Sequence, residues 1–267
     1  MAGLDEITLA TLLLVVIAGF VAGWVDAVVG GGGLIQLPAL LMVPGISPIQ
    51  ALATNKLGSI FGTTTSAVTY FRRARPDLRT ALPMAGVALV GSLGGAFMAL
   101  SLPQSVFKPI IVVALILVAI FTAFRPTVGT LTQLRHKGRR HYWIAALIGG
   151  VIGFYDGLIG PGTGSFLVIA MVTLLGYNFL ASSAKAKIVN MFTNAGALML
   201  FIPSGTVLWS LGLILGAANM LGGYLGARMA ITRGSRFIRI IFLTVVTVLI
   251  ISLGHDVWTE NFQSTGN

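Results

Sequence analysis

Asp26 and Asp156 are carboxylates set in apolar sequence, each four residues ahead of a glycine run. Lys56 and Lys187 are ammonium groups in equally apolar or small-residue surroundings. By insertion scales a lone lysine at the centre of a membrane helix costs roughly 2.5–3.5 kcal/mol, so each needs a negative partner. Either the aspartates neutralise the lysines as structural ion pairs, or an anion taken up by the protein does so. Charges inside membranes serve both ends, and the two glycine-rich helix starts beside them tip the balance towards an anion. The aspartates are also candidate proton carriers, with burial and a neighbouring lysine acting on them in opposite senses.

The glycine runs read GGGG at 30–33 and GPGTG at 160–164. Each is expected to break a helix at membrane depth and start a short one at once. Such a start exposes backbone N–H groups where the helix dipole carries about half a positive charge. Gly31, Gly32 and Gly33 in the first run, with Gly162, Thr163 and Gly164 in the second, would then orient an anion. The plainer alternative is a tight turn between packed helices, but duplication beside an acid favours the functional break. Asn55 adjoins Lys56, Asn190 and Asn194 follow Lys187 at helical spacing, and Thr63 aligns with Asn194. Their amides and hydroxyl could bond oxyanion oxygens. Ordinary hydrogen bonding between membrane helices, worth about 1 kcal/mol or less each, would explain any single one equally well.

The elements that must position these groups are long and apolar. The chain of 267 residues is 56% hydrophobic and 9% charged, with a mean hydropathy of +0.94. That is too little charge to cover a soluble surface, so lipid is the expected solvent. Apolar stretches run over 8–29, 80–100, 109–124, 142–159, 206–227 and 237–253, several near the ~20 residues of a membrane-crossing helix. Gly91–Gly95 and Gly222–Gly226 have the GxxxG spacing that lets helices approach closely in lipid.

The chemistry is duplicated. GFVAGWVDAVVGGG at 19–32 is matched by GGVIGFYDGLIGPG at 149–162, with Gly19, Val21, Gly23, Asp26, Gly30 and Gly32 recurring 130 positions on. ALATNKL at 51–57 aligns with SSAKAKI at 182–188, which places Lys56 on Lys187. Leu93–Gly95 matches Leu221–Gly223, and FKPII at 107–111 matches FIRII at 237–241. Order and spacing both survive, so the chain is expected to be two repeats. Residues 1–125 form the first, 126–141 a basic cytoplasmic linker, and 142–267 the second.

Charge placement gives an orientation. Of the 17 Lys and Arg residues, 13 fall in three clusters, Arg72–Arg79, Arg125–Arg140 and Arg228–Arg239, each between hydrophobic segments. If these face the cytoplasm, Ser101–Phe107 and Pro203–Thr206 lie outside, as do Asp5, Glu6, Asp256 and Glu260. Residues 8–72 then cross an odd number of times: a long helix, a short piece at 34–43 interrupted by Pro38, and a second long segment at 49–71. The corresponding short piece at 165–177 has no proline and is expected to be more regular. The halves therefore run in opposite senses, with Lys108 the one exception. The expected fold is an all-α, polytopic membrane protein of two inverted-topology repeats with broken or short helices near mid-membrane.

Other classes fit poorly. The net charge of +10 lies in loops, with no basic face interleaved with aromatics, so nucleic acid is not an expected partner. Without cysteine there is neither a disulfide frame nor a thiolate metal site. His136, His141 and His255 are read as loop residues without ligand spacing, and GGGGL lacks the Gly-Lys-Ser/Thr of a phosphate loop. No metal, cofactor or catalytic residue is expected. The N-terminus MAGLDEITLA is acidic where a signal peptide is basic, so the first apolar segment is read as a retained membrane helix.

As a set, GWVDAVVGGGGLIQLPALL, ALATNKLGS, GFYDGLIGPGTGSF and SSAKAKIVNMFTNAGAL resemble the TauE/SafE family of sulfite-exporter-like permeases, over roughly residues 8–253. The resemblance implies a multi-pass carrier of the bacterial or archaeal cytoplasmic membrane. It implies export of a small sulfur-containing anion, such as sulfite or an organosulfonate, coupled to an ion gradient. Asn55 and Lys56 would carry the family's first Asn-Lys motif, and Lys187, Asn190 and Asn194 the second; Pro161 and Thr163 depart from its plainer glycine run. The expectation is a carrier working by alternating access, with a small anion and the bilayer as partners and a homodimer left open. A passive anion channel, a membrane-embedded enzyme and a subunit of a larger complex are the alternatives.

Overall fold

The computed structural model describes residues 8–103 and 132–264, and all its regular elements there are helical. They are α1 (Leu9–Val29), α2 (Gly33–Leu41), α3 (Pro48–Ala74), α4 (Leu78–Ser101), α5 (Gly138–Leu158), α6 (Thr163–Ala170), α7 (Phe179–Phe201) and α8 (Trp209–Ser264). Gly234, with φ of 72°, interrupts α8. The apolar stretch at 109–124, the match at 107–111, Lys108, Asp5, Glu6 and residues 126–131 of the linker lie outside the described residues.

Among the described residues, α1, α4 and the first part of α8 (Trp209–Ile238) are long and apolar enough to cross a membrane. The outward faces agree. Leu9, Ile17, Val90, Phe97, Trp143, Leu147 and Val151 are each more than half exposed. In water such a surface would be a liability; in lipid it is the solvated face.

The helices start where local chemistry directs. Thr8 caps α1, Asp77 caps α4 and Asn178 caps α7. Ser47 and Gln50 form a reciprocal capping box ahead of Pro48, the first residue of α3. No side chain caps α2 or α6, whose starts face the protein interior.

Three expectations are corrected. α2 runs straight through Pro38 at the loss of one internal hydrogen bond, so Pro44 and Pro48, and not Pro38, mark its exit. The proline-free second piece is the less regular one: after Ala170 it relaxes into a π-helical turn, Met171–Leu175, ended by Gly176 at φ of 83°. His141 lies within α5 and is buried, and His255 lies within α8; only His136 is outside a helix.

The main packing partners are α1 with α8, α4 with α5, α3 with α8, α4 with α7, and α3 with α7. Small residues permit these approaches. A Cβ on Gly91 or Gly95 would strike the backbone of Gly150 or Phe154 in α5. One on Gly222 or Gly226 would strike Phe20 or Trp24 in α1. The two GxxxG segments thus serve α4–α5 and α8–α1 packing.

Candidate functional site

α1 ends inside the protein at Gly30, whose φ of 85° turns the chain out of the helix. Four consecutive carbonyls there would otherwise be stranded away from water. Each receives a donor from another helix. Tyr70 Oη donates to Ala27 O at 2.9 Å and Ser183 Oγ to Val28 O at 3.4 Å. Ser165 Oγ donates to Val29 O at 2.9 Å, and Ser165 N–H to Gly30 O at 3.0 Å. The end of α5 is closed more locally, by Thr163 N–H donating to Gly160 O at 3.3 Å and by Tyr155 Oη donating to Pro161 O at 2.6 Å.

The two glycine breaks cross each other. A Cβ built on Gly164 would lie 2.5 Å from Gly30 Cα, so the backbones touch where any side chain would separate them. Both runs therefore break the chain as expected, and they do so against one another.

Lys56 and Asp156, and Lys187 and Asp26, meet across this crossing. Lys56 Nζ lies 2.8 Å from Asp156 Oδ1, and Lys187 Nζ 2.7 Å from Asp26 Oδ2. Each lysine takes the aspartate of the other half of the chain. The ion-pair alternative is thus realised in this structure, and with both pairs formed the four groups sum to zero charge.

The pairs are not equivalent. Asp156 is buried, and its Oδ1 also accepts Thr163 Oγ–H at 2.6 Å, while Oδ2 is buried with no hydrogen-bond partner. Asp26 keeps 12% of its side chain exposed against 3% for Asp156, so water reaches the first carboxylate and hardly the second. Position 33, aligned with Thr163, is glycine and supplies no hydroxyl. Both aspartates sit at the uncapped starts of α2 and α6, seats that suit a negative charge. Side chains of the protein occupy the places expected for an anion.

A cavity of about 20 Å³ lies between the pairs, enough for about one water. Asp26, Asn55, Lys56, Asp156, Asn190 and Asn194 line it, together with Gly33, Gly162, Thr163 and Gly164. Of the other residues expected at the site, Lys187 stands behind Asp26, and Gly31, Gly32 and Thr63 are not in the wall. Thr63 Oγ receives Asn194 Nδ2 at 3.5 Å and donates to Ser59 O at 2.9 Å. Asn55 Oδ1 is buried and without a partner, and Asn190 Oδ1 accepts Thr193 Oγ–H at 3.2 Å.

Sequence reasoning missed several neighbours. Ser59, four residues after Asn55 on α3, joins the wall. Gln36 Nε2 donates to Asn55 O at 3.2 Å, and Asn219 Nδ2 donates to Gln36 Oε1 at 2.6 Å. Gln36 and Asn219 were visible as lone polar residues in apolar segments, which is the signal that could have found them. Lys185 faces away from the cavity, its ammonium 4.3 Å from the centre of the Tyr177 ring. That ring belongs to a separate polar cluster with Asp77, Thr80 and His141.

Comparison with known proteins bears on the whole of this architecture. The sequence profile described as "Sulfite exporter TauE/SafE" matches residues 15–253. The chain is 36% identical to "Probable membrane transporter protein ORF9" of Sinorhizobium sp, over 95% of this chain and 96% of that one. It is 35% identical to "Probable membrane transporter protein YfcA" of Escherichia coli K12, over 88% and 86%. It is 35% identical to a "Probable membrane transporter protein" of Haemophilus influenzae, over 88% and 91%. No solved structure matches. The chain belongs to the sulfite exporter TauE/SafE family and is a membrane transporter.

Proposed function

We propose that this family member carries a small sulfur-containing oxyanion, such as sulfite or an organosulfonate, outward across the bacterial cytoplasmic membrane by alternating access. The observation that carries this reading is the pair of lysine–aspartate contacts exchanged between two crossed helix breaks around one small cavity. Lys56 and Lys187 are the cations of the site, and an anion would engage one of them by displacing its carboxylate. Asn55, Asn190, Asn194 and Thr163 supply oriented polar groups, and the starts of α2 and α6 add dipole.

The cavity is several times too small for a multi-atom oxyanion, which favours a carrier that must widen around its substrate over a channel with a continuous wet path. Alternating access calls for two bodies that rock around a fixed site, and we assign them to inverted repeats, residues 1–125 and 142–267. Supporting this, α1 aligns with α5 and α4 with α8, so α1–α8 and α4–α5 packing are equivalent under exchange of halves. The α3–α8 and α4–α7 contacts are a second such couple. A neutral site would gain a net charge on binding an anion alone, which supports coupling to an accompanying ion.

The test is uptake of labelled sulfite and short sulfonates by purified protein in liposomes. Wild-type vesicles should accumulate label against its gradient when an ion gradient is imposed, and Lys56→Met and Lys187→Met should reduce this to the level of empty vesicles. Inert wild-type vesicles would sink the proposal, uphill accumulation would exclude a channel, and strictly downhill flux would remove the ion coupling.

A further inference from the structure

The two ion pairs differ in a way that a symmetric site would not require, and the difference concerns one hydroxyl. Thr163 Oγ lies 2.6 Å from Asp156 Oδ1 and 2.7 Å from Gly160 O. It has a single hydrogen and can donate to only one of them. While Asp156 is ionised the carboxylate is the stronger acceptor. Once Asp156 is protonated, the same hydroxyl turns to Gly160 O without moving its oxygen, and no acceptor is stranded. Asp156 Oδ2, buried and unpartnered, lies on a residue in the cavity wall and is the open seat for that proton. Asp26 has Gly33 where Asp156 has Thr163, so it lacks this switch.

Resting on the transport reading above, we propose that Asp156 is the proton-coupling carboxyl and that Asp26–Lys187 stays paired. In the step, Asp156 Oδ2 gains one proton, its contact with the Lys56 ammonium is released, and the incoming anion takes the carboxylate's place. One proton and one negative charge enter and leave together, Lys56 keeps its proton, and the site remains neutral, so outward flux follows the anion's own gradient and a pH gradient can drive the reverse. Gly160 leaves room for the ammonium to shift, since a Cβ there would lie 2.6 Å from Lys56 Nζ. The charged groups around Asp156 are few. α3 contributes Lys56, α6 only the neutral Thr163, and α5 itself Tyr155, which is bonded to Pro161 O. α1 and α7 contribute the Asp26–Lys187 pair across the cavity. α4 carries only Arg79, exposed at the other end of the shared packing.

The experiment uses the full chain in liposomes with methanesulfonate, which stays anionic at every pH used. Two readouts are taken: exchange of labelled for unlabelled anion at equal pH, and accumulation driven by a pH gradient. Wild type should show both, with exchange faster on the acid side. In Asp156→Asn, a mimic of the protonated acid, exchange should lose its pH dependence and pH-driven accumulation should vanish. In Asp26→Asn exchange should slow, because Lys187 loses its partner, while its dependence on pH remains. Thr163→Val removes the hydroxyl and keeps the shape, and should shift the pH midpoint of exchange upward by about one unit, because the carboxylate loses a charged hydrogen bond. If Asp156→Asn does not fold, that midpoint decides. pH-driven accumulation surviving in Asp156→Asn, pH dependence lost in Asp26→Asn alone, or an unmoved midpoint in Thr163→Val would overturn the assignment. Wild-type exchange without any pH-driven accumulation would overturn it too while leaving transport standing. Absence of exchange in wild type would instead remove the transport reading itself.

Discussion

Removing one partner of the Lys56–Asp156 pair should cost far more than removing both. At 2.8 Å the gross attraction is about 6 kcal/mol for an effective dielectric constant of about 20, largely offset by the desolvation of two buried ions. Lys56→Met leaves the Asp156 carboxyl in the cavity wall without its cation and with Thr163 as its remaining donor. Asp156→Asn leaves a buried ammonium beside a neutral amide. Each single change should lose about 3–5 kcal/mol, two to three powers of ten or more in the folded ratio. The double change Lys56→Met with Asp156→Asn strands no charge and should fall within about 1–2 kcal/mol of wild type. The coupling energy of the cycle is then roughly 4 kcal/mol or more. Tryptophan fluorescence during denaturant titration in detergent micelles would read it. The same cycle on Lys187 and Asp26 should give a smaller value, since Asp26 retains water on part of its side chain. Additive losses at Lys56 and Asp156 would refute the pairing, and equal coupling at the two sites would refute the argument from exposure.

Two further outcomes follow from packing and capping. Gly164→Ala should prevent the glycine breaks from crossing and reduce folded yield sharply, because its Cβ meets Gly30 Cα at 2.5 Å. Gly86→Ala, helical with nothing within 4 Å, should be neutral or stabilising by up to about 1 kcal/mol; size-exclusion profiles after heating would compare the two. Asp77 caps α4 through Arg79 N–H at 3.0 Å and accepts Thr80 Oγ–H at 2.9 Å. Partial burial alone would raise its pKa, but these hydrogen bonds and the charge of Lys185 hold it below the usual carboxylate value. Its contribution is therefore fully present above the ordinary aspartate range and lost as pH falls through the lowered value. Asp77→Ala should cost about 1 kcal/mol at neutral pH, whereas Asp77→Asn should keep the cap and lose this part of the acid sensitivity in thermal unfolding.

Much of this was legible because the physics acts locally. A glycine run after an acid in apolar sequence announces a helix break, and Gly30, Gly160 and Gly162 adopt the left-handed conformation such a break uses. Helix spans follow from length and hydropathy, so α3 and α4 begin and end within a few residues of expectation. Pro38 misled because its cost of one hydrogen bond is small beside the packing of Leu34, Leu37 and Leu40 on α2. His141 misled because a basic flank reads as loop, whereas Thr80 and Tyr177, distant in sequence, give its ring partners inside α5.

The least legible fact is also the one with most consequence for mechanism. Two lysines and two aspartates at matching positions allow pairing within a half or between halves, and nothing in a one-dimensional pattern chooses. The choice is made by the crossing of backbones at Gly30 and Gly164, which brings the end of α1 against α6 and α7. Pairing within each half would leave the halves free to separate without breaking a charge contact. Pairing between them means that any rocking of one half on the other must either carry both contacts along or break at least one. An approaching anion lowers the cost of breaking Lys56–Asp156, because it gives the ammonium a new partner, and a proton on Asp156 removes the charge left behind. Neither event alone releases the lock without stranding a charge, and this is the physical basis on which such a site could refuse to turn over unless anion and proton are both aboard.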